Sequence, residues 1–315
     1  MLSRAPITPT RGYYCDSARW DRYVPREGDI VIGTAPKVGT TWTQQIVSLL
    51  VFQSTEPKPL QFISPWLDCR LRDNLDQMLA LLEMQTHRRY IKSHLPLSAL
   101  PVHDEVKYIH VARDGRDACM SYMNHNNAYT PAAWGRLDAV AAADPDLPAP
   151  APRPPRDTRG FFHHWLAPGG TAAAEQMGDG FFEIERAWWA ERARPNLLLV
   201  HFNDLKADLD GEMRRIADFL EIETPKALWP TLVEAAGFEA MKRAGADLMP
   251  AAELSFEGGH DTFLNKGTNG RWQSELTDDD LALYQRRVEA ELSPDLARWL
   301  EHGRHVAGDP RVASG

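Results

Sequence analysis

A lysine, a glycine and two threonines follow a short apolar run in a spacing that suits phosphate binding. Residues 30–32 are β-branched and apolar, and the loop Pro-Lys37-Val-Gly39-Thr40-Thr41-Trp comes shortly after them. Apolar residues then recur at helical spacing, which predicts a buried strand, a tight loop and a helix. Such a loop directs backbone N–H groups and the positive end of a helix dipole to one point, where Lys37, Thr40 and Thr41 add a charge and two hydroxyls. The stretch therefore predicts a phosphate-binding loop.

Taken alone, this loop leaves several functions open. It departs from the usual nucleoside-triphosphate loop, G-x-x-x-x-G-K-[ST], because Lys37 precedes Gly39. A nucleotide kinase or NTPase would still suit the loop, although the sequence has no lysine after a glycine run and no acidic strand end clearly suited to magnesium. A non-catalytic nucleotide-binding module is another alternative. The simplest one is a strand, loop and helix that only pack.

A lysine and a histidine lie two residues apart in a second predicted strand. Residues 89–96 read Arg-Tyr-Ile-Lys-Ser-His-Leu-Pro, so the side chains of Lys92 and His94 project from one face. Pro96 places both at the carboxyl end of the strand, where open α/β sheets bind ligands. An imidazole with a pKa near ~6.5 can take a proton from an alcohol or phenol as its oxygen attacks an electrophile. His94 is therefore a candidate general base, although a single histidine is more often structural.

Two further segments carry charged and polar residues at matching positions. Arg113 ends a predicted strand over residues 106–112, and Ser121 lies two turns into the helix that follows. Asp114 is a candidate N-cap for that helix, and Asp117 shares a face with Ser121.

Together these segments resemble the cytosolic-type sulfotransferases, which use 3′-phosphoadenosine 5′-phosphosulfate (PAPS). Pro-Lys-x-Gly-Thr-Thr-Trp resembles their 5′-phosphosulfate loop, and Lys-Ser-His-Leu-Pro resembles the Lys-Thr-His-Leu-Pro segment that carries the catalytic base. Val-Ala-Arg-Asp-Gly-Arg-Asp-Ala-Cys-Met-Ser resembles their 3′-phosphate segment. Residues 263–272 resemble the C-terminal Arg-Lys-Gly-x-x-Gly-Asp-Trp segment. The resemblance covers residues 29–272, and the chain is similar to bacterial members of the family.

The resemblance implies a role for each matched residue. His94 would be the catalytic base, and Lys37 and Lys92 would assist catalysis. The cofactor-binding residues would be Lys37, Val38, Gly39, Thr40, Thr41, Trp42, Arg113, Ser121, Phe202, Phe238, Asn265, Lys266 and Gly267. Arg113, Ser121 and residues 265–267 would hold the 3′-phosphate, whereas the three aromatic residues would grip adenine. No metal is implied, and the sequence shows no cluster of metal ligands.

The chain departs from the family pattern at several of these positions. Asn265 replaces an arginine and brings no charge, so cofactor affinity would depend more on Lys266. Phe202 replaces a tyrosine and lacks its hydroxyl. Gln273 and Asp278 occupy the lysine and valine places of the family's dimer segment, so that dimer is not expected.

Composition limits the classes of protein to which the chain could belong. Its 315 residues can bury a large core, and 43% hydrophobic with 25% charged residues is typical of a soluble globular protein. A net charge of −9 argues against a nucleic-acid partner. Cys15, Cys69 and Cys119 are odd in number and widely spaced, which favours a reducing compartment. Without a signal-like N-terminus or a long apolar run, we expect a cytoplasmic protein with no membrane span. The resemblance to sulfotransferases implies a small-molecule hydroxyl acceptor as its partner.

The alternation of strands and helices predicts a single α/β domain. Its parallel sheet would be flanked by helices and would carry the P-loop-like phosphosulfate-binding loop. We assign residues 1–28 to an N-terminal lead-in with little regular structure, 29–300 to the domain and 301–315 to a C-terminal tail.

One stretch inside the predicted domain differs from the rest in composition. Residues 131–180 are rich in proline, alanine and glycine, which predicts a lid or insertion. The cluster Phe161-Phe162-His163-His164-Trp165 favours a partly ordered lid and, weakly, a lipophilic alcohol or phenol as the acceptor.

Overall fold

The centre of the fold is a parallel sheet. The computed structural model describes residues 1–71, 74–147, 152–167 and 180–312. The strands in this part are β1 (Leu2–Arg4), β2 (Ile30–Thr34), β3 (Tyr90–Ser93), β4 (Val102–His103), β5 (Lys107–Ala112) and β6 (Leu197–His201). The parallel sheet has the order β3-β2-β5-β6, and β1 pairs antiparallel with β4.

Helices follow most strands and return the chain across the sheet. The α-helices of the described residues are α1 (Thr40–Phe52), α2 (Leu60–Ile63), α3 (Leu75–Met84), α4 (Gly115–Asn127), α5 (Pro131–Ala143), α6 (Thr158–Leu166), α7 (Phe181–Ala190), α8 (Phe202–Ala207), α9 (Leu209–Leu220), α10 (Trp229–Ala236), α11 (Phe238–Arg243), α12 (Gly245–Leu248), α13 (Ala252–Ser255), α14 (Gly259–Phe263), α15 (Asp278–Glu291), α16 (Pro294–His302) and α17 (Arg304–Ala307). Short 3₁₀ helices span Ser17–Arg22, Leu97–Ala99 and Arg271–Ser274. None of the helices in the described ranges is long and apolar enough to cross a bilayer.

Both faces of the sheet are buried, and accordingly the first three residues of β2 are all apolar. Ile30 and Ile32 pack with residues of α1, α9 and α10 on one face. Val31 points to the other face and joins the core formed with α4, α6 and α7. The predicted α/β class, a parallel sheet flanked by helices, is confirmed.

Strand β2 comes unusually close to a tryptophan of α7. A Cβ atom added to Gly33 would lie 2.0 Å from Cζ2 of Trp188. That indole cannot easily move, because it is fully buried, stacks on His110 and donates its N–H to the Leu95 carbonyl at 3.1 Å. Only glycine fits at this position of β2.

We expect Gly33→Ala to lower the free energy of unfolding by about 1–3 kcal/mol or more, because overpacking a rigid core forces shifts in its neighbours. Urea denaturation would measure the change. Gly135→Ala is the matched control, since a Cβ there meets nothing within 4 Å. Alanine should stabilise helix α5 at that position by about 1 kcal/mol. Equal stability of the two variants would contradict the close contact at Gly33.

The N-terminal lead-in is more regular than predicted. It contains β1 and the 3₁₀ helix Ser17–Arg22, and it buries Tyr13, Tyr14 and Trp20 in the main core. Strand β1 depends on a partner about a hundred residues away, which local sequence patterns do not reveal. The domain limits 29–300, with the lead-in 1–28 and the tail 301–315, stay a prediction.

The alanine-rich stretch is partly helical, and its aromatic cluster does not form a lid. Thr130 caps α5, whose alanines are good helix formers, so composition alone did not reveal this helix within the predicted lid or insertion. Phe161, Phe162 and Trp165 of α6 are at most 3% exposed and pack in the main core. Residues 148–151 and 168–179 of the predicted lid lie outside the described residues.

Candidate active site

A cavity of about 620 Å³ lies at the carboxyl edge of the parallel sheet. Of the residues predicted for the site, those in its lining are Lys37, Gly39, Thr40, Thr41, Trp42, Lys92, His94, Arg113, Ser121, Phe202, Phe238, Asn265, Lys266 and Gly267. Val38 differs, because its side chain is fully buried in the core beneath the loop. The structure thus brings six separate segments of the chain to one cavity: residues 37–42, 92–94, 113–121, 202, 238 and 265–267.

The loop after β2 has a backbone suited to an anion. Lys37 has a φ of +68° and Gly39 a φ of +123°, and left-handed residues of this kind occur in anion-binding loops. An added Cβ at Gly39 would come within 3.1 Å of the Phe202 ring. Thr43 donates the first hydrogen bond of α1, to the Gly39 carbonyl at 3.0 Å. The amides of Thr40 and Thr41 therefore precede the helical ladder and can donate to a phosphate group.

The hydrogen bonds of His94 determine its tautomer. Its Nδ1 lies 2.8 Å from the backbone carbonyl of Thr34, the last residue of β2. Since a carbonyl only accepts, Nδ1 carries the hydrogen and Nε2 of the neutral ring keeps its lone pair. Burial and the nearby Lys92 ammonium lower the pKa of His94 well below its usual value. At neutral pH the imidazole is thus a base.

The buried carboxylate of Asp68 binds the backbone of His94. Oδ2 of Asp68 accepts the backbone N–H of His94 at 3.2 Å and the indole N–H of Trp66 at 2.7 Å. Oδ1 accepts the indole N–H of Trp20 at 3.2 Å. The Trp66 ring meets His94 edge-on, with 4.8 Å between ring centroids. The segment between α2 and α3, which carries Trp66 and Asp68, therefore helps to fix the position of His94.

Two lysines concentrate positive charge beside this histidine. Nζ of Lys92 lies 4.3 Å from the centroid of Trp66, and Nζ of Lys37 lies 4.5 Å from that of Phe263. Burial, with the charges of Lys92 and Arg113, lowers the pKa of Lys37 to about 7. An anion bound here would restore the charge of Lys37, so the site favours a polyanionic ligand.

Arg113 joins the end of β5 to the segment that follows α14. Its guanidinium donates to Oδ1 of Asn269, at 3.1 and 2.7 Å, and to the Thr268 carbonyl at 2.9 Å. Asp117 accepts the backbone N–H of Gly270 at 2.8 Å. Burial lowers the pKa of Arg113 to about 10, so it remains charged at neutral pH. These bonds tie residues 268–270, which directly follow residues 265–267, to the end of β5 and the start of α4.

Three aromatic side chains frame the neighbouring part of the cavity. Trp42 and Phe202 meet edge-on with centroids 5.3 Å apart, and Trp42 donates its indole N–H to the Ala236 carbonyl at 2.8 Å. Phe238 begins α11 and lies against Gly267, where an added Cβ would come within 2.7 Å of the ring. The arrangement leaves an aromatic-walled space beside the phosphate-binding loop.

Most of the chain matches a known protein family. Residues 27–295 match the family described as the sulfotransferase domain. The chain belongs to the sulfotransferase family. Glycolipid sulfotransferases of Mycobacterium bovis and Mycobacterium tuberculosis are 32% identical to it, over 96% of this chain and 98% of theirs. The family and the enzyme class, a PAPS-dependent sulfotransferase, are thereby confirmed.

Solved structures with the same fold include other members of the family. Mouse sulfotransferase SULT7A1, complexed with PAP, matches this sulfotransferase with a TM-score of 0.66 at 18% identity, covering 90% of each chain. A retinol dehydratase in complex with androsterone and the inactive cofactor PAP matches with a TM-score of 0.64 at 23% identity, covering 87% of this chain and 83% of its own. At these identities the likeness supports the fold.

Several residues of the sulfotransferase site were not predicted. Thr34 and Asp68 hold His94, and His125 contacts Lys37, with Nδ1 3.4 Å from Nζ. Asn269 holds Arg113 and stands inside the matched C-terminal segment, so the motif offered a signal for it. The other three belong to no quoted motif, and only the fold reveals their roles.

A metal has no evident place in the described part of the sulfotransferase. Within residues 1–71, 74–147, 152–167 and 180–312, no three histidine, cysteine, aspartate or glutamate side chains form a group that could hold one. The absence of a metal from the reaction stays a prediction.

Proposed function

We propose that this sulfotransferase moves the sulfuryl group of PAPS to the hydroxyl of a small lipophilic alcohol or phenol, with His94 as the general base. The observation that carries the proposal is the tautomer of His94. Its bond to the Thr34 carbonyl leaves Nε2 unprotonated in a cavity that also holds Lys37 and the phosphate-binding loop. When bound, PAPS supplies an activated sulfuryl group on a phosphate leaving group.

The residues around His94 suit such a reaction. Nε2 would take the proton of the acceptor hydroxyl as its oxygen attacks sulfur. Lys37 and the amides of Thr40 and Thr41 would neutralise the charge that grows on the leaving phosphate as its bond to sulfur breaks. Lys92 lies near the end of β3, two residues before His94, and would stabilise the sulfuryl oxygens from the other side. We expect the displacement to be in line, with the acceptor oxygen on one side of sulfur and the leaving phosphate on the other.

The rest of the cavity suits the nucleotide part of PAPS. Arg113, Ser121 and Lys266 would bind a 3′-phosphate, and Asn265 would donate a hydrogen bond without charge. Trp42 and Phe238 would enclose adenine, with Phe202 at its edge. The buried charge of Arg113 is the strongest support, because this residue is only 5% exposed and lines the cavity.

Apolar and aromatic residues also line the cavity that holds His94. They include Tyr14, Trp66, Leu71, Met120, Tyr129, Met249 and Phe256. These residues, and not the aromatic cluster of α6, support a lipophilic acceptor. The curated relatives at 32% identity are glycolipid sulfotransferases, which also supports an acceptor with a lipid part.

A panel assay tests the acceptor. Labelled PAPS would be incubated with phenols, sterols, alkyl alcohols, amines and glycans, and labelled products would be separated. We expect transfer to lipophilic hydroxyl compounds. Label on amines or free glycans alone would overturn the acceptor class, and hydrolysis of ATP without any sulfate transfer would restore the NTPase alternative.

The kcat/KM for PAPS should fall as the pH rises through about 7. Lys37, whose pKa is about 7, pairs with the phosphosulfate only as an ammonium, and this form is lost from the free enzyme above that pH. The kcat should change less, because a bound anion raises the Lys37 pKa. His94 stays neutral over this range, since its pKa is lowered.

Initial rates between pH 6 and 9 would measure both parameters. Lys37→Arg is the matched control, because a guanidinium keeps its charge and should remove the decline. If wild type and Lys37→Arg gave the same flat kcat/KM across this range, the titration of Lys37 would not govern PAPS capture.

The cytoplasmic location stays a prediction, and the cysteines offer a test of it. All three are buried thiols, and Cys15 lies directly opposite Cys69 on neighbouring extended segments. Cysteines paired in this way are close enough to bridge in an oxidising compartment. We expect three titratable thiols per denatured chain after isolation from its natural host with rapid alkylation. A Cys15–Cys69 disulfide in that sample would contradict the prediction.

A further inference from the structure

A histidine in the last turn of α4 contacts the lysine of the phosphate-binding loop. Nδ1 of His125 lies 3.4 Å from Nζ of Lys37. The imidazole packs against Phe256 and Phe263, with centroids 4.6 and 5.7 Å apart. Phe263 is also the ring that faces the Lys37 ammonium. The lysine is thus enclosed by His125 on one side and an aromatic ring on another.

The charge of Lys37 determines which nitrogen of His125 carries its hydrogen. When Lys37 is protonated its ammonium only donates, so Nδ1 accepts and Nε2 carries the hydrogen. Nε2 lies 3.0 Å from the hydroxyl of Tyr129, which accepts this bond. Tyr14 donates to the same hydroxyl at 2.8 Å. A chain of hydrogen bonds therefore runs from Lys37 through His125 and Tyr129 to Tyr14 along the wall of the cavity.

The charges around His125 agree with this arrangement. Burial and the ammonium groups of Lys37 and Lys92 lower the pKa of His125 well below its usual value, so the ring is neutral and able to accept. The bond would keep the long side chain of Lys37 in one place before nucleotide binds. A flexible lysine otherwise loses much rotamer freedom when it is ordered.

We propose that His125 is a positioning residue for sulfuryl transfer: its Nδ1 holds the Lys37 ammonium beside the phosphosulfate, and Tyr129 holds the imidazole. This inference rests on the proposed function. The loss of His125 should slow the chemical step, because displacing a catalytic group by about 1 Å can lower the rate roughly 10²-fold. The binding of adenosine 3′,5′-bisphosphate should change little, since most of its proposed contacts lie elsewhere.

The test uses matched substitutions of the full chain, with labelled PAPS and 2-naphthol as the probe, or the best acceptor of the panel. We expect His125→Ala to lower kcat about 10–100-fold. His125→Asn places an amide oxygen near the position of Nδ1 and should recover a large part of the rate. His125→Gln reaches towards Tyr129 instead and should recover less. Tyr129→Phe should lower kcat only a few-fold.

Two further measurements separate positioning from a structural or acceptor-binding role. In a Lys37→Met background, His125→Ala should change kcat less than about twofold, because the histidine acts through the lysine. If His125→Ala lowered kcat by the same factor in the Lys37→Met background as in the wild type, the two residues would act independently and the proposal would be overturned. A raised KM of His125→Ala for 2-naphthol with an unchanged kcat would overturn it too. Wild-type transfer with no loss in His125→Ala would overturn this inference alone. No wild-type transfer to any acceptor would overturn the proposed function as well.

Discussion

His94→Ala should lower the kcat of sulfuryl transfer by about 10²–10⁴-fold, the range for loss of a general base. The structure gives the reason, because Nε2 is the unprotonated nitrogen of a buried, neutral imidazole whose Nδ1 is held by the Thr34 carbonyl. Affinity for adenosine 3′,5′-bisphosphate should stay nearly unchanged, since the base acts on the acceptor. Single-turnover assays and calorimetry would measure the two quantities.

His87→Ala is a suitable control for this experiment. That histidine precedes β3, bonds the Arg88 carbonyl at 2.9 Å and does not line the cavity. It should leave kcat unchanged. If His94→Ala kept more than about half of the wild-type rate under saturating PAPS, His94 would not be the base.

The part of the site that follows strands could be predicted from the sequence. Lys37, His94 and Arg113 each come directly after, or at the end of, an apolar strand, and parallel strands bring such positions to one edge of the sheet. Their order along the sheet, β3-β2-β5, places the loop lysine between the other two. Local pattern and general topology are therefore enough for this core of the site.

The residues that hold these side chains could not be predicted in the same way. Thr34 acts on His94 through a backbone carbonyl, for which any residue type would serve. Tyr14 reaches the cavity from the lead-in, and Tyr129 follows α4, so their contact depends on packing between distant segments. Such contacts carry no periodic or motif signal.

The expectation of a lipophilic acceptor stays a prediction, but the residues that support it differ between the sequence and the structure. The sequence prediction drew lipophilic character from Phe161, Phe162 and Trp165, which pack in the core. The apolar lining comes instead from Trp66, Phe256 and their neighbours. Aromatic content alone cannot separate a core helix from a binding surface, because both require the same side chains.

Adenosine 3′,5′-bisphosphate should bind at least about 10²-fold more tightly than adenosine 5′-phosphate, which differs only by lacking the 3′-phosphate. Arg113, Ser121 and Lys266 all line the cavity and would each bind that group. Hydrogen bonds to charged groups contribute about 1.5–3 kcal/mol each, so the loss of two accounts for such a ratio. Calorimetry with both nucleotides would measure it.

The same titration in three variants locates the selectivity. Lys266→Ala should remove a large part of the difference, because Asn265 beside it brings no charge. Arg113→Met should remove more, since its guanidinium is buried and bonded to Asn269, although the loss of that bond also loosens the closing segment. Arg243→Met is the control, because Arg243 is exposed on α11 and does not line the cavity. Equal affinity of the wild type for the two nucleotides would remove the 3′-phosphate site from the proposal and leave the loop at Lys37 as the only phosphate contact that it requires.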